Sequence, residues 1–164
     1  DHGEKGGIIP ENLSEEVRAK FEDLTKRFRE TDKRNREFLK QVLVKHGWPG
    51  KSLVGIAAAQ AAFLFAQHSD EDTEFQKQCL EKMKAMPEGE VSKQHLAMLT
   101  DRVLVHEGKK QLYGTQLTMV DGKFQPSPIE DEENVDARRK EMGLPSLADY
   151  IRMVEAMQPA PQKK

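Results

Sequence analysis

Residues 52–68 read SLVGIAAAQAAFLFAQH, and this alanine-rich segment is the centre of the predicted fold. Alanine has the highest helix propensity of all residues. Small residues lie on most sides of the segment, so neighbouring helices can approach it closely. We therefore expect a central helix that begins at Ser52 and ends near His68, with other helices packed around it.

A longer helical pattern precedes this segment. Ser14 has the character of an N-cap. Apolar residues then follow at helical spacing and resume after the charged stretch ETDKRNRE, at Val17, Phe21, Leu24, Phe28, Phe38, Leu39, Val42 and Leu43. This pattern fits one long helix or two helices with a break near Thr31. Gly47 and Pro49 mark its end.

Two more helices are predicted after the central one. Asp70 or Asp72 caps a third helix that contains Phe75, Cys79, Leu80 and Met83. PEGE at 87–90 is a turn. Ser92 caps a fourth helix, which ends at Gly108.

The residue pattern changes to that of a β-hairpin between Leu112 and Pro128. Asp121-Gly122 lies between strand-forming residues, which is a strong hairpin signal. A fifth helix is expected over 131–142. Ser146 and Asp149 form a capping box for a short sixth helix.

These elements predict a mainly α fold: an irregular bundle of five or six helices with one β-hairpin in the C-terminal half. The 164 residues suit one domain. We place that domain at 14–157, with a flexible lead-in at 1–13 and a disordered tail at 158–164.

Composition limits the classes of partner. The net charge of −2 gives no electrostatic signature for nucleic acid, and no apolar run is long enough for membrane insertion. The single cysteine, Cys79, is expected to be a quiet, partly buried thiol. The sequence fits a soluble protein of the cytoplasm or an exported protein after signal removal, and it does not distinguish these.

Motifs of the large enzyme classes are absent from the sequence. There is no phosphate loop, dinucleotide fingerprint, paired-cysteine zinc site or nucleophile elbow. We therefore expect no cofactor.

The polar run QHSDED at 67–72 is the first candidate for chemistry. His68 ends a nearly apolar helix, where the pKa of an imidazole is easily moved, and Asp70 could orient its ring. The same residues fit two other interpretations. His68 could complement the helix dipole while an aspartate caps the next helix, or His68, Asp70 and Asp72 could bind a metal.

Other polar residues lie near predicted element ends. Gln60 and Gln67 share one face of the central helix, and either line a polar pocket or lock neighbouring loops. The fourth helix carries His95, Arg102 and His106 on one stripe, with Asp101 beside it. Further along the chain, Tyr113, Thr115 and Gln116 surround Gly114, which permits a bulge or a close backbone approach.

These residues lead to a functional hypothesis in which a small polar molecule binds in a pocket and His68 is the general acid or base. Hydrolysis or elimination fits this set, because neither reaction needs a cofactor. The proposed catalytic residues are His68, Asp70, Asp101 and Tyr113. The proposed substrate-binding residues are Gln60, Gln67, Arg102, Thr115, Gln116 and Arg138.

Two alternatives stay open at this point. A non-catalytic protein-interaction module fits the high charge and the charged faces of the first helix, with the polar motifs as internal locks; its protein partner is unknown. A metal-binding helical domain is the other alternative.

The order of several motifs resembles a bacterial family of unknown function. The motifs are Gly-Trp-Pro at 47–49, Gln-His-Ser-Asp at 67–70, Asp-Arg at 101–102, Tyr-Gly-Thr-Gln at 113–116 and Val-Asp-Ala-Arg-Arg at 135–139. The resemblance covers about residues 32–152. It implies kinship and no mechanism, and it suggests that His68, Asp101, Tyr113 and Gln116 belong to a shared constellation.

Overall fold

The computed structural model describes residues 14–157, so the predicted lead-in at 1–13 and tail at 158–164 lie outside the described residues. Within 14–157 the chain forms a mainly helical fold with one hairpin, as predicted. Its elements are α1 (Glu15–His46), α2 (Lys51–Gln67), α3 (Thr73–Lys84), α4 (Lys93–His106), β1 (Leu117–Val120), β2 (Lys123–Pro126), a 3₁₀ turn (Glu132–Asn134), α5 (Val135–Glu141) and α6 (Leu147–Ala156). No helix in this part of the chain is both long and apolar enough to cross a membrane.

The first helix is continuous over its 32 residues. The hydroxyl of Ser14 accepts a hydrogen bond from the Val17 N–H, as the capping pattern predicts. No break occurs near Thr31, because the charged stretch contains no glycine or proline. The helix ends at Gly47, whose φ of 73° favours glycine.

The central helix, α2, starts one residue earlier than predicted. Its cap comes from Glu90, a residue far along the chain. Its N-cap is Gly50, and the backbone N–H and hydroxyl of Ser52 both donate to the carboxylate of Glu90. The helix is interrupted at Gly55, where φ is 80° and ψ is 165°. Glu90 therefore supplies the cap that the sequence assigned to Ser52.

The core lies between the C-terminal half of α2 and the neighbouring helices, whereas residues 52–58 of α2 are exposed, so the expected close packing around this segment holds only for its second half. Its buried apolar side chains come from α1 to α4 and the α1–α2 corner, and include Leu39, Trp48, Phe63, Ala66, Phe75, Cys79, Leu80, Met83 and Leu99. Burial raises the pKa of the Cys79 thiol to about 12, so this thiol stays protonated at neutral pH.

The hairpin forms around Asp121-Gly122 as predicted, but its first strand is shorter. Both turn residues have positive φ, 49° and 76°, as a type I′ turn requires. Val120 pairs with Lys123, and Leu117 pairs with Pro126. The expectation that the strand begins at 112 is wrong, because the backbone N–H groups of Leu112, Tyr113 and Thr115 hydrogen-bond to the Asp101 side chain instead of to a second strand.

The last helix, α6, packs against β2 and α5. The helix predicted over 131–142 is a 3₁₀ turn followed by the short α5. Ser146 accepts a hydrogen bond from the Asp149 N–H and donates its hydroxyl to the Asp149 carboxylate, which confirms the capping box.

Candidate functional site

Asp101 is the centre of a hydrogen-bonded cluster between α4 and residues 111–116. Its side chain is fully buried. Oδ1 accepts from the backbone N–H groups of Leu112 at 2.8 Å and Tyr113 at 3.0 Å, and Oδ2 accepts from the N–H and hydroxyl of Thr115, both at 2.9 Å. A buried carboxylate with these donors fixes the path of an irregular backbone segment. Both carboxylate oxygens of Asp101 therefore accept hydrogen bonds from other groups of the protein.

Two further buried side chains that the sequence analysis did not single out bind the same segment. Gln111 is fully buried, and its Nε2 donates to the Gln116 carbonyl at 2.9 Å. Arg139, also fully buried, donates to the Tyr113 carbonyl and places its guanidinium 5.0 Å from the centre of the Tyr150 ring. Residues 111–116 are therefore held through both their N–H groups and their carbonyls.

Asp70 and Arg102 form a bidentate ion pair between the α2–α3 loop and α4. Nε lies 2.6 Å from Oδ1, and Nη2 lies 2.7 Å from Oδ2. Arg102 also donates from Nη1 to the Gln116 side-chain oxygen at 3.1 Å. Burial raises the pKa of Asp70, but the hydrogen bonds and charge of Arg102 outweigh burial and hold that pKa below its ordinary value. The charge of Arg102 is thus compensated within the protein.

Gln76 links three helices beneath this ion pair. Its side chain is fully buried, and Nε2 lies 3.2 Å from the carbonyls of Ala66 and Gln67 at the end of α2. Its Oε1 lies 3.0 Å from Nδ1 of His106 on α4. The sequence signal for Gln76 is an amide among the apolar residues of an amphipathic helix, as for Gln60 and Gln67 in α2.

The guanidinium of Arg138 is likewise bonded to other groups of the protein. Its Nε donates to the Leu112 carbonyl at 2.9 Å, its Nη2 donates to the Glu130 carbonyl at 2.6 Å, and its Nη1 lies 3.2 Å from a carboxylate oxygen of Asp131. These contacts occupy all three guanidinium nitrogens. A role in substrate binding stays a prediction for Arg138.

The side chains of His68, Gln67 and Tyr113 take no part in these hydrogen bonds within the described residues. His68 is exposed at the end of α2, and within residues 14–157 its side chain makes no hydrogen bond, ion pair or ring contact. Gln67 is buried, and its Oε1 has no hydrogen-bond partner in the described part of the chain. Tyr113 is half-buried, and burial raises the pKa of its phenol. The catalytic role of His68 therefore stays a prediction.

The three residues of the metal alternative are each placed differently. Oδ1 of Asp72 accepts from the Phe75 N–H at 3.0 Å as the cap of α3, and Oδ2 lies 2.9 Å from the ammonium of Lys40. Asp70 is paired with Arg102. Within residues 14–157, no three histidine, cysteine or acidic side chains are arranged to hold a metal ion.

Replacing His68 with glutamine is expected to change the free energy of unfolding by less than about 0.5 kcal/mol, because an exposed side chain without contacts adds little stability. Urea denaturation of the wild type and the variant measures this difference. A loss above about 2 kcal/mol would show that His68 is an internal lock.

A cavity of about 260 Å³ lies on the other side of the core, between α2, α4 and the α1–α2 corner. We call it the Trp48–His95 cavity. Its apolar walls come from Trp48, Ile56, Ala59, Phe63, Met83 and Val91, and its polar groups come from Lys51, Gln60, Glu90, Ser92 and His95. Of the predicted binding residues, Gln60 is the one that lines it.

The His95 imidazole stacks on the Phe63 ring in the wall of this cavity. The ring centres are 3.9 Å apart, and the ring planes differ by 2°. Burial, followed by the charge of Lys51, lowers the pKa of His95. Hydrogen bonds from the Ser52 hydroxyl and N–H lower the pKa of Glu90. At neutral pH the cavity therefore presents a neutral imidazole, an ammonium and a carboxylate.

Comparison with known proteins gives one match. A model of a family of unknown function (DUF6624) matches residues 16–160. This chain belongs to the DUF6624 family. No curated protein and no solved structure is significantly similar to it.

The DUF6624 match agrees with the resemblance drawn from the motifs at the level of a family of unknown function. It extends over α1 to α6, beyond the 32–152 region that those motifs covered. A bacterial origin and a shared constellation of His68, Asp101, Tyr113 and Gln116 stay predictions. No reaction or ligand comes from membership of DUF6624.

Proposed function

We propose that this protein binds a small planar heteroaromatic molecule in the Trp48–His95 cavity. The observation that carries the proposal is the combination of aromatic walls with a few polar side chains in one cavity of about 260 Å³. Mostly apolar pockets with convergent polar groups and a histidine of altered pKa are the usual form of small-molecule sites.

The size of the cavity sets the size of the ligand. A dry protein cavity of about 150 Å³ holds one benzene molecule. The larger Trp48–His95 cavity would therefore accept one ring with substituents or two fused rings. Flat side chains in its wall, the indole of Trp48 and the stacked pair of Phe63 and His95, favour a planar ligand.

The polar groups favour a heteroaromatic ligand without a strong net charge. A neutral imidazole at His95 can donate or accept a hydrogen bond, and the Gln60 amide can do both. Lys51 and Glu90 contribute opposite charges to the same cavity, so neither sign dominates. These groups could form hydrogen bonds with the ring nitrogens and the exocyclic amino or carbonyl groups of a heteroaromatic ligand.

The proposal concerns binding only. Its site, the Trp48–His95 cavity, is separate from the site of the reaction predicted at His68. The polar residues around Asp70 and Asp101 are occupied by contacts within the protein, which supports the interpretation that they lock the fold. Hydrolysis or elimination with His68 as acid or base stays a separate prediction.

Titration with adenine, benzimidazole and quinoline tests the proposal, because Trp48 is the single tryptophan of the chain and its fluorescence reports on the cavity. We expect at least one compound to change this fluorescence saturably. Ala59→Leu, which fills the cavity, should abolish the change, whereas Ala57→Leu at an exposed position of the same helix should retain it. No saturable change with any compound, or equal loss in both variants, would contradict the proposal.

The lowered pKa of His95 predicts a pH dependence of stability. Because the folded state binds this proton less tightly than the unfolded state does, stability is retained above the ordinary pKa of 6.5 and lost as the pH falls below it. Glu90 also faces this cavity, but its pKa is lowered from an ordinary value of 4.5 that already lies outside this window, and the other charge beside His95 is that of Lys51. The wild type should lose more unfolding free energy between about pH 7.5 and pH 5.5 than His95→Gln does, by urea denaturation. Equal losses would contradict this prediction.

A further inference from the structure

The N-terminal half of α1 projects away from the helical core. Every residue from Glu15 to Thr31 except Thr25 is exposed. Within the described chain, no ion pair or side-chain hydrogen bond joins residues 15–35 to another element. At about 1.5 Å per residue, residues 15–35 extend roughly 30 Å. A helix of this length without a packing partner is marginally stable in water.

An apolar stripe runs along the projecting half of α1 and continues to Phe38, which borders α2. Its members Val17, Phe21, Leu24, Phe28 and Phe38 are 46%, 43%, 46%, 61% and 59% exposed. Their spacing alternates between four and three residues when Thr31 and Asn35 are included. This is the heptad pattern of a coiled coil, in which such a stripe faces a second helix.

We propose that this stripe is the interface of a parallel, in-register, two-stranded coiled coil formed by two copies of the protein. In the heptad, Phe21, Phe28 and Asn35 take position a, and Val17, Leu24, Thr31 and Phe38 take position d. The proposal does not depend on the Trp48–His95 cavity.

The charges beside the stripe favour the parallel arrangement. In a parallel pair, position g of one helix lies beside the following position e of the other. Arg27 would then lie beside Asp32 of the second copy, and Lys20 would lie beside Thr25. An antiparallel pair in the register that sets Phe28 against Thr31 would instead bring the g positions together, which places Arg27 near Arg34 of the second copy and sets like charges against each other.

Asn35 supports the same arrangement. A single asparagine at an a position can pair with its counterpart across a parallel two-stranded coil, and it fixes the register at some cost in stability. In-register pairing would bring Asn35 of both copies together, whereas antiparallel pairing sets Asn35 against Leu24. The parallel dimer thus satisfies a polar group that the antiparallel dimer leaves among apolar side chains.

The apolar area is sufficient for a specific dimer. From the exposed fractions of the stripe and typical side-chain areas, two copies would bury about 900 Å² of apolar surface. Specific interfaces bury roughly 1,200–2,000 Å² in total, of which somewhat more than half is apolar. The stripe alone therefore supplies the apolar part of an interface of ordinary size.

Sedimentation equilibrium of the full chain tests the proposal. We expect a reversible monomer–dimer equilibrium in the wild type. Phe28→Glu should raise the dimer dissociation constant at least tenfold, while Ala19→Glu, with the same change of charge at position f on the opposite face, should leave it within about threefold. A wild type that stays monomeric at every concentration, or equal weakening by both variants, would overturn the proposal.

The orientation has a separate test in Val17→Cys. With oxidised glutathione as the two-electron oxidant, the two introduced thiols of a parallel dimer would lose their protons and form one intermolecular disulfide. In an antiparallel dimer, position 17 would face position 42 of the second copy and the two thiols would lie far apart. A dimer that forms without this disulfide would overturn the parallel arrangement.

Discussion

Asp101→Ala is expected to destabilise the protein by about 3–5 kcal/mol, because it removes the acceptor of three backbone N–H groups and one hydroxyl at a fully buried position. A buried donor that loses its partner costs about 1–3 kcal/mol. The N–H groups of Leu112, Tyr113 and Thr115 cannot find new acceptors without moving the segment. Urea denaturation gives the difference in unfolding free energy.

Asp23→Ala is the matched control for this experiment. Asp23 is an exposed aspartate in the projecting half of α1, and its replacement should change stability by less than about 0.5 kcal/mol. If Asp101→Ala were as mild as the control, residues 111–116 would not depend on this carboxylate. Asp101 would then be available for the catalytic role suggested by the sequence.

Trp48→Ala is expected to have a similarly large effect, a loss of about 3–5 kcal/mol. The indole is 5% exposed at the corner between α1 and α2, and it packs in the core while forming part of the cavity wall. Removing it would extend the cavity into the core. Because the variant lacks the fluorescent reporter, circular dichroism during urea denaturation is the appropriate measurement.

Trp48→Phe separates loss of volume from loss of aromatic character. A phenyl ring fills much of the space of the indole, so this variant should lose less than half as much stability as Trp48→Ala. Equal losses in the two variants would indicate that a specific contact of the indole, rather than its volume, stabilises the corner.

The sequence predicts most of the fold because its signals are local. The cap at Ser14, the capping box of Ser146 and Asp149, and the turn at Asp121-Gly122 each involve residues within four positions of one another. Contacts between such near neighbours can be predicted from the local sequence, and the structure confirms them. The second half of the alanine-rich segment packs in the core for the same kind of reason, since small side chains permit close packing in any helical bundle.

The differences between prediction and structure come from contacts between distant residues. Glu90 caps the start of α2 from 38 positions away. Asp101 binds residues 112–115 and thereby replaces the strand that their composition favours. No pattern in a single sequence indicates which carboxylate will accept from which backbone segment.

The candidate site was predictable only in part. The sequence singled out Asp70, Arg102 and Gln116, and the structure brings these three side chains together. Whether such groups bind one another or a ligand depends on their partners, which the sequence does not specify. The sequence does not predict the Trp48–His95 cavity, because its walls come from four separate parts of the chain; Gln60 is the one residue of its lining that the sequence proposes for binding.

Amide chemical-shift mapping with adenine, benzimidazole and quinoline tests the central claim most directly, because it reports on both candidate locations at once. The account predicts that the largest shifts upon binding occur at cavity residues such as Trp48, Phe63 and His95, and that Ala59→Leu removes them. Shifts centred instead on His68, Asp70 and Arg102 would contradict it and return the functional site to the polar end of α2.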